Sequence, residues 1–566
     1  MSRLFAWLAL LGLVAAVAIG AQAEEKTDAT GQYYQDVGRG VRLYSDDPIE
    51  FVIVDTKDGA LRGTRVNNTD YFLGIPFAKP PVDDLRWRAP QPVQRWSGVR
   101  DANLYAPDCT SSKSNYIYLG NTSEDCLYLN VFRRSTDYSK EKLPVMAWLY
   151  GGSWEYGGSS FIVYDGAAMA DIGNVIIVTI NYRLGAFGYA AAPALQKEDK
   201  HNSTGNYGTQ DQRAALQWIQ DNIANFGGDP KNVTLFGQSA GGASTSNHVV
   251  MPRSNGLFDK VVIESGPPSA WTYKTLNQSS SHFSRIASAV GCAAKTSEEE
   301  VACMRGVNTT EIWRHQENDP SVQIDWGPTI DGVELTDATW KLWKEGKVNN
   351  VSAMMIGTVK DEGSLFVEHI KPKATEQDLQ TWISTTFTGN LSDTIRKLYS
   401  ASQYDTPFLA ASAILSDAEM TCNARRASRE MTNRGVPSFL YSFTHLPFVV
   451  KLAEPGYGVM HSSEVPFVFR SRLLLLGKGE VELANKVVRY WTNFAWSGDP
   501  NIGQDMKPTP GAVPWPQFSP QYNTYLNLNM TITPQQNFTS NAKCDFWDKV
   551  YASGCSLSHL PVPCDF

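Results

Sequence analysis

The chain has 566 residues, of which 42% are apolar and 19% charged, proportions that exclude a disordered polypeptide and supply a large buried core. Its formal net charge is −8 and no basic cluster offsets it, which argues against the concentrated Lys and Arg that nucleic-acid phosphates require. No low-complexity linker or internal repeat divides the chain.

The first residues, "MSRLFAWLALLGLVAAVAIGAQA", place Arg3 before an apolar run that closes on Ala21-Gln22-Ala23. A basic start, a short apolar stretch and a small-residue cleavage site are the parts of a signal peptide, here spanning 1–23. An uncleaved anchor is the rival, and the run is short for a full span. Residues 24–566 are then expected to form one secreted, extracellular domain without a membrane span. Sequons at Asn67, Asn121, Asn202, Asn232, Asn277, Asn308, Asn350, Asn390, Asn529 and Asn537 are dense enough to expect a glycoprotein. The eight cysteines form no CxxC pair and keep no metal-ligand spacing to histidine. Disulfides are therefore the expectation, with neither metal nor cofactor.

Five continuous apolar runs read as strands covered on both faces. They are "PVMAWLY" from Pro144, "NVIIVTINY" from Asn174, "NVTLF" from Asn232, "KVVIES" from Lys260 and "VSAMMIG" from Val351. Between the second and third, Ala215, Trp218, Ile219, Asn222 and Ile223 keep helical spacing, and Gly227 offers a stop. Strand, helix, strand implies a right-handed crossover. The expected fold class is α/β: a large, mostly parallel sheet with helices on both faces and long insertions.

The first run ends in "YGGSWEYGG", Tyr150 to Gly158, a glycine loop interrupted by Ser153, Trp154 and Glu155. Glycine lets a ligand approach the main chain closely, and this loop offers that only in part. The third run ends in Gly237-Gln238-Ser239-Ala240-Gly241-Gly242, a G-x-S-x-G elbow at a strand-to-helix turn. Such a turn presents Ser239 Oγ to open space, with a helix N-terminus behind it to favour developing negative charge. A serine needs a base to attack at neutral pH, and in this arrangement an acid and then a histidine follow it in the chain. His282, His315, His369, His445, His461 and His559 all lie downstream. The glycine-led loop "GYGVMHSSEVPF" favours His461. "IGTVKDEGSLF" puts Asp361 and Glu362 directly after a strand, where catalytic residues of α/β sheets collect, and pattern alone does not choose between them.

Taken together these residues resemble the type-B carboxylesterases, in the cholinesterase-like group of the α/β-hydrolases. The resemblance covers nearly the whole mature chain. It rests on "FGGDPKNVTLFGQSAG" (226–241) and "EDCLYLNVF" (124–132), with "FLGIPFAKPP", "LRWRAP", "NYRLGAFG", "GNYGTQDQ", "DEGSLF" and "WTNFAWSGDP" in support. It implies a serine carboxylesterase working through an acyl-enzyme, with Ser239 as nucleophile, Glu362 as acid and His461 as base. It implies an oxyanion hole from the N–H groups of Gly152, Ser153 and Ala240, supporting roles around the triad for Gln238, Ser265 and Glu464, and pocket positions at Trp154, Tyr116 and Phe366. It also implies disulfides Cys109–Cys126, Cys292–Cys303 and Cys422–Cys544, leaves Cys555 and Cys564 as a fourth pair, and matches Arg86 and Glu124 to a buried structural ion pair.

Three departures from the pattern carry information. Relatives that hydrolyse choline esters have tryptophan where this chain has Tyr116 and glutamate where it has Gln238. Losing that carboxylate removes about 2–4 kcal/mol of attraction for a nearby cation at an effective dielectric near 20, and tyrosine is the weaker cation–π partner. A general or lipophilic ester is therefore the expected substrate. Ser153 stands where the family has a third glycine, and the hole is intact only if serine adopts the angles that glycine held. A lipase acting on long-chain esters and an impaired adhesion protein of the same fold are the competing readings.

Overall fold

The computed structural model describes residues 26–27, 33–38, 41–45, 48–111, 121–135, 142–316 and 326–553. The proposed signal peptide, Tyr116 and the pair Cys555 and Cys564 lie outside these residues. The core is a sheet of thirteen strands. In chain order they are β1 (Glu50–Thr56), β2 (Gly59–Val66), β3 (Thr69–Pro76), β4 (Val99–Asp101), β5 (Tyr128–Arg134), β6 (Leu143–Leu149) and β7 (Ile176–Ile180). They continue with β8 (Gly228–Gln238), β9 (Lys260–Glu264), β10 (Ala353–Val359), β11 (Ser438–Phe443), β12 (Tyr525–Leu528) and β13 (Thr533–Gln535).

Across the sheet the order is β13-β12-β11-β10-β9-β8-β6-β7-β5-β3-β2-β1, with β4 paired to β2. The run from β7 to β12 is parallel throughout. Antiparallel pairs join β5, β3, β2 and β1 at one edge and β13 at the other. All five apolar runs are strands, and every residue of β6, β7, β9 and β10 is buried. Successive side chains point to opposite faces, so such burial requires cover on both.

The crossover helix α1 (Tyr207–Asn222) buries Ala215, Trp218, Ile219 and Asn222. It tightens into a 3₁₀ turn over Ile223–Phe226 that stops at Gly227, φ 84°. The strand that follows, β8, pairs with β6 and not with β7, so this connection passes over β6. Helix α2 (Ala240–His248) leaves β8 directly. Further along come α3 (Pro407–Ser416), α4 (Cys422–Asn433), α5 (Phe448–Ala453), α6 (Glu480–Ser497) and α7 (Asn541–Ala552). One apolar cluster runs through the sheet and its flanking helices. A second, built from α3, α7 and residues such as Leu379, Trp382 and Ile395, packs apart from it.

All three disulfides implied by the resemblance are present: Cys109–Cys126, Cys292–Cys303 and Cys422–Cys544. Arg86 and Glu124 form the expected ion pair, and Arg86 Nη1 also donates to the carbonyls of Met304, Arg305 and Val307. The pair thereby fastens the segment after Cys303 to the chain that follows β3 and precedes β5.

Candidate active site

Register brings the site together. In the parallel strands Leu149 is opposite Gly237, Gln238 opposite Glu264, and Glu264 opposite Gly357. The glycine loop, Ser239, Ser265 and Glu362 therefore all leave the sheet at the carboxyl ends of adjacent strands. Four segments far apart in sequence meet along one edge, where open α/β sheets bind their ligands.

Ser239 sits between β8 and α2 with φ 58° and ψ −125°. This conformation is costly for a residue with a Cβ, and such strain collects at functional turns. Its N–H donates to Glu264 O at 2.9 Å, tying the elbow to the neighbouring strand. Gln238 and Ala240 are buried on either side, whereas Ser239 is half-exposed. Its hydroxyl has no hydrogen-bond partner among the described residues.

Glu362 is fully buried, and three donors hold its carboxylate. Oε1 accepts from Val359 N at 2.9 Å and Ser265 Oγ at 2.5 Å, and Oε2 accepts from His461 Nδ1 at 2.5 Å. A proton on Nδ1 leaves Nε2 as the acceptor, the tautomer a general base needs. The Gln238 amide nitrogen lies 3.2 Å from that Nε2 and faces it as a donor. Phe366 sets its ring at 65° to the imidazole with centroids 5.0 Å apart. These contacts separate the two acids that sequence pattern left open. Asp361 faces away from the ring and pins the histidine loop instead: its N–H donates to Val459 O at 3.0 Å and its Oδ2 accepts from Val459 N at 2.8 Å.

The glycine loop packs against the elbow. A Cβ on Gly151 would lie 2.8 Å from Ser239 Cβ, so the loop runs alongside the serine only because no side chain intervenes. Gly152 has φ 119°, and a Cβ there would strike Tyr156 O at 2.1 Å. Ser153 takes φ 56°, inside the left-handed region that an L-residue can hold. Its hydroxyl bonds with Tyr156. The main-chain N–H groups of Gly152, Ser153 and Ala240 have no partner among the described residues. Three unpaired donors beside one exposed hydroxyl can hold an oxyanion. Trp154 is fully buried, donates Nε1 to Ser244 Oγ at 2.9 Å and packs on Trp271. The pocket position expected for Trp154 is therefore not borne out: packed on Trp271 and bonded to Ser244, its ring has no exposed surface to offer a substrate. Glu155 is half-buried at the outer turn.

Ser265 and Glu464 stand behind the triad as the resemblance implied, and Glu264, which the sequence reading did not single out, joins them. Ser265 Oγ reaches Glu464 Oε1 at 3.4 Å as well as Glu362, and Trp491 Nε1 donates to Glu264 Oε1 at 2.7 Å. Glu264 Oε2 and Glu464 Oε2 are buried without partners. Burial pushes Glu264 up to about 8, and burial together with the charges of Glu264 and Glu362 pushes Glu464 well above the carboxylate range. Burial thus disfavours the charged form of both acids, and a proton on either would give its orphaned oxygen a hydroxyl. The sequence hint for Glu264 is the "ES" of "IESGPP", which sets it beside Ser265.

Comparison with known proteins places the chain in a family. The model of the Carboxylesterase family matches residues 50–547. The chain is 33% identical over 537 residues to a cholinesterase of Mus musculus, covering 88% of this chain and 86% of that protein. It is 35% identical over 534 residues to a medium-chain fatty acyl-CoA hydrolase precursor of Anas platyrhynchos, covering 87% and 91%.

Proposed function

Because the chain belongs to the carboxylesterase family, and is thus a carboxylic-ester hydrolase, we propose that it is a secreted serine esterase with Ser239, Glu362 and His461 as its triad. His461 Nε2 takes the Ser239 proton as Oγ attacks the ester carbonyl. The N–H groups of Gly152, Ser153 and Ala240 stabilise the tetrahedral oxyanion. His461 then protonates the departing alcohol, and water releases the acyl group from Ser239 by the same route. Glu362 orients the imidazole and stabilises its charged form. The observation that carries this reading is the chain of contacts from Ser265 through Glu362 to His461, ending at the strand edge from which the strained Ser239 emerges.

The substrate is a neutral ester rather than a choline ester, because Gln238 directs an amide, not a carboxylate, at the site. Secretion agrees with three disulfides, and with sequon asparagines of which Asn67, Asn121, Asn202, Asn277, Asn308, Asn350, Asn390 and Asn537 are exposed.

Hydrolysis of a p-nitrophenyl acyl series by the purified protein and by Ser239→Ala tests the proposal. Wild type should exceed the variant in kcat by roughly 10⁴–10⁶-fold. Equal rates would abandon the triad and favour a binding protein of the same fold. A preference for emulsified long-chain esters over soluble short ones would identify a lipase.

A further inference from the structure

Ser153 and Trp154 are consecutive non-glycine residues in the left-handed region, at φ 56° and 57°. Such a backbone persists only where its surroundings over-determine it. Here they do so through Trp154. Its carbonyl accepts from Gly185 N at 2.7 Å, and its Nε1 donates to Ser244 Oγ at 2.9 Å. The indole packs on Trp271 and Tyr189, with centroids 5.8 and 6.4 Å away. Gly327 leaves it room, since a Cβ there would stand 3.2 Å from Trp154 Cε3. The start of the loop is tied as well. Tyr150 and Tyr182 stack at 4.4 Å, and each hydroxyl donates to the other's carbonyl, at 3.2 and 2.6 Å.

Ser244 stands one turn after Ala240 on α2, the helix that leaves the elbow. Its Oγ is held in turn. Gln212 Nε2, on α1, donates to it at 3.2 Å, and Gln212 Oε1 lies 3.0 Å from His248 Nε2. His248 Nδ1 lies 2.8 Å from Ser254 Oγ. An amide oxygen only accepts, so His248 carries its proton on Nε2 and accepts from Ser254 through Nδ1. Burial, with the charge of Arg213, pushes His248 down to about 3, which keeps the ring neutral. Trp154, Ser244, Gln212, His248 and Ser254 are each no more than 1% exposed. A buried polar chain is costly unless its links are satisfied, and a satisfied one fixes a single arrangement.

We propose that Ser244 is a positioning residue for the oxyanion hole. Three N–H groups must converge on one oxygen to within about 0.5 Å. They come from two pieces of chain: Gly152 and Ser153 from the loop after β6, and Ala240 from the start of α2. The bond from Trp154 to Ser244 joins that loop to the helix that supplies the third donor, so the three donors hold one geometry. Gln212 and His248 keep the Ser244 acceptor aimed at the indole. This inference rests on the esterase reading above, and it assigns part of the hole's geometry to a buried hydroxyl behind the loop.

Hydrolysis of p-nitrophenyl acetate tests this when rates are normalised to sites titrated to completion with a fluorophosphonate, which counts only folded, reactive enzyme. Ser244→Ala should lower kcat about tenfold and leave KM within about twofold. Affinity for an aryl trifluoromethyl ketone, which forms a hemiketal oxyanion on Ser239, should fall by the same factor, while affinity for the corresponding methyl ketone should not change. Ser244→Cys, close in size but a weaker acceptor, should fall between wild type and Ser244→Ala. Trp154→Phe, which keeps a ring but no N–H, should lower kcat at least as far, and adding Ser244→Ala to it should lower kcat no further. The inference is overturned if Ser244→Ala keeps the wild-type kcat, changes KM alone or weakens both ketones alike. It is also overturned if the effects of Trp154→Phe and Ser244→Ala multiply. A wild type that hydrolyses no ester overturns the esterase reading itself, and this inference with it.

Discussion

Ser153 shows how far a single residue can be read before its neighbours are known. Its identity departs from the family pattern, and its effect depends on a backbone angle that composition does not contain. The observed φ of 56° means that the serine holds the glycine-like conformation, at a cost of about 1–2 kcal/mol. Its N–H is therefore still available, since the donor belongs to the main chain. Ser153→Gly is expected to relieve that cost and to change kcat by less than about threefold. A gain on the order of 10²–10³ would instead mean that the hole lacks a donor in the wild-type enzyme. Gln238 and Phe366 were legible in sequence as positions, but their contacts with the His461 ring arise only when β8 and the histidine loop are brought together.

At the scale of elements, the site depends on strands ending in step. Glu264 closes β9, and Trp491 reaches it from α6 at 2.7 Å. The raised Glu264 group makes this junction sensitive to pH. Between its ordinary value near 4.5 and about 8, the folded protein retains a proton that the unfolded chain has released. Its contribution to stability is thus fully present below the lower value and is lost as pH rises through the upper one. Thermal unfolding at pH 5 and pH 8 should show wild type losing more stability over this interval than Glu264→Gln, which keeps an acceptor for Trp491. Parallel behaviour of the two proteins would mean that Glu264 is ionised in the fold. The acid of the proposed triad illustrates the same point. "DEG" after a strand marks two candidates, and only the docking of Val459 on Asp361 leaves Glu362 to face the ring.

Across the whole molecule, the helical layer around α3 and α7 has an apolar cluster of its own, and Cys422–Cys544 ties α4 to α7 over a separation of 122 residues. A loop of that length contributes about 4–5 kcal/mol on the chain-entropy account. Replacing both cysteines with alanine should lower the urea midpoint and split unfolding into two steps, the helical layer melting first. A single transition reported alike by fluorescence and circular dichroism would show that the layer is not separable. The sequence by itself determined the strands, the crossover helix and the elbow, because continuous burial, helical spacing and a strand-to-glycine turn are local patterns. The family resemblance added the three observed disulfides and chose Glu362 over Asp361 and His461 among the downstream histidines. Tertiary structure alone decided that α1 passes over β6 and that Glu264 is buried beside Ser265 and Glu464 behind Glu362. Each of these depends on which distant segments meet. A pairing or a proton favoured by burial is a property of neighbours in space, and the order of residues along the chain does not contain it.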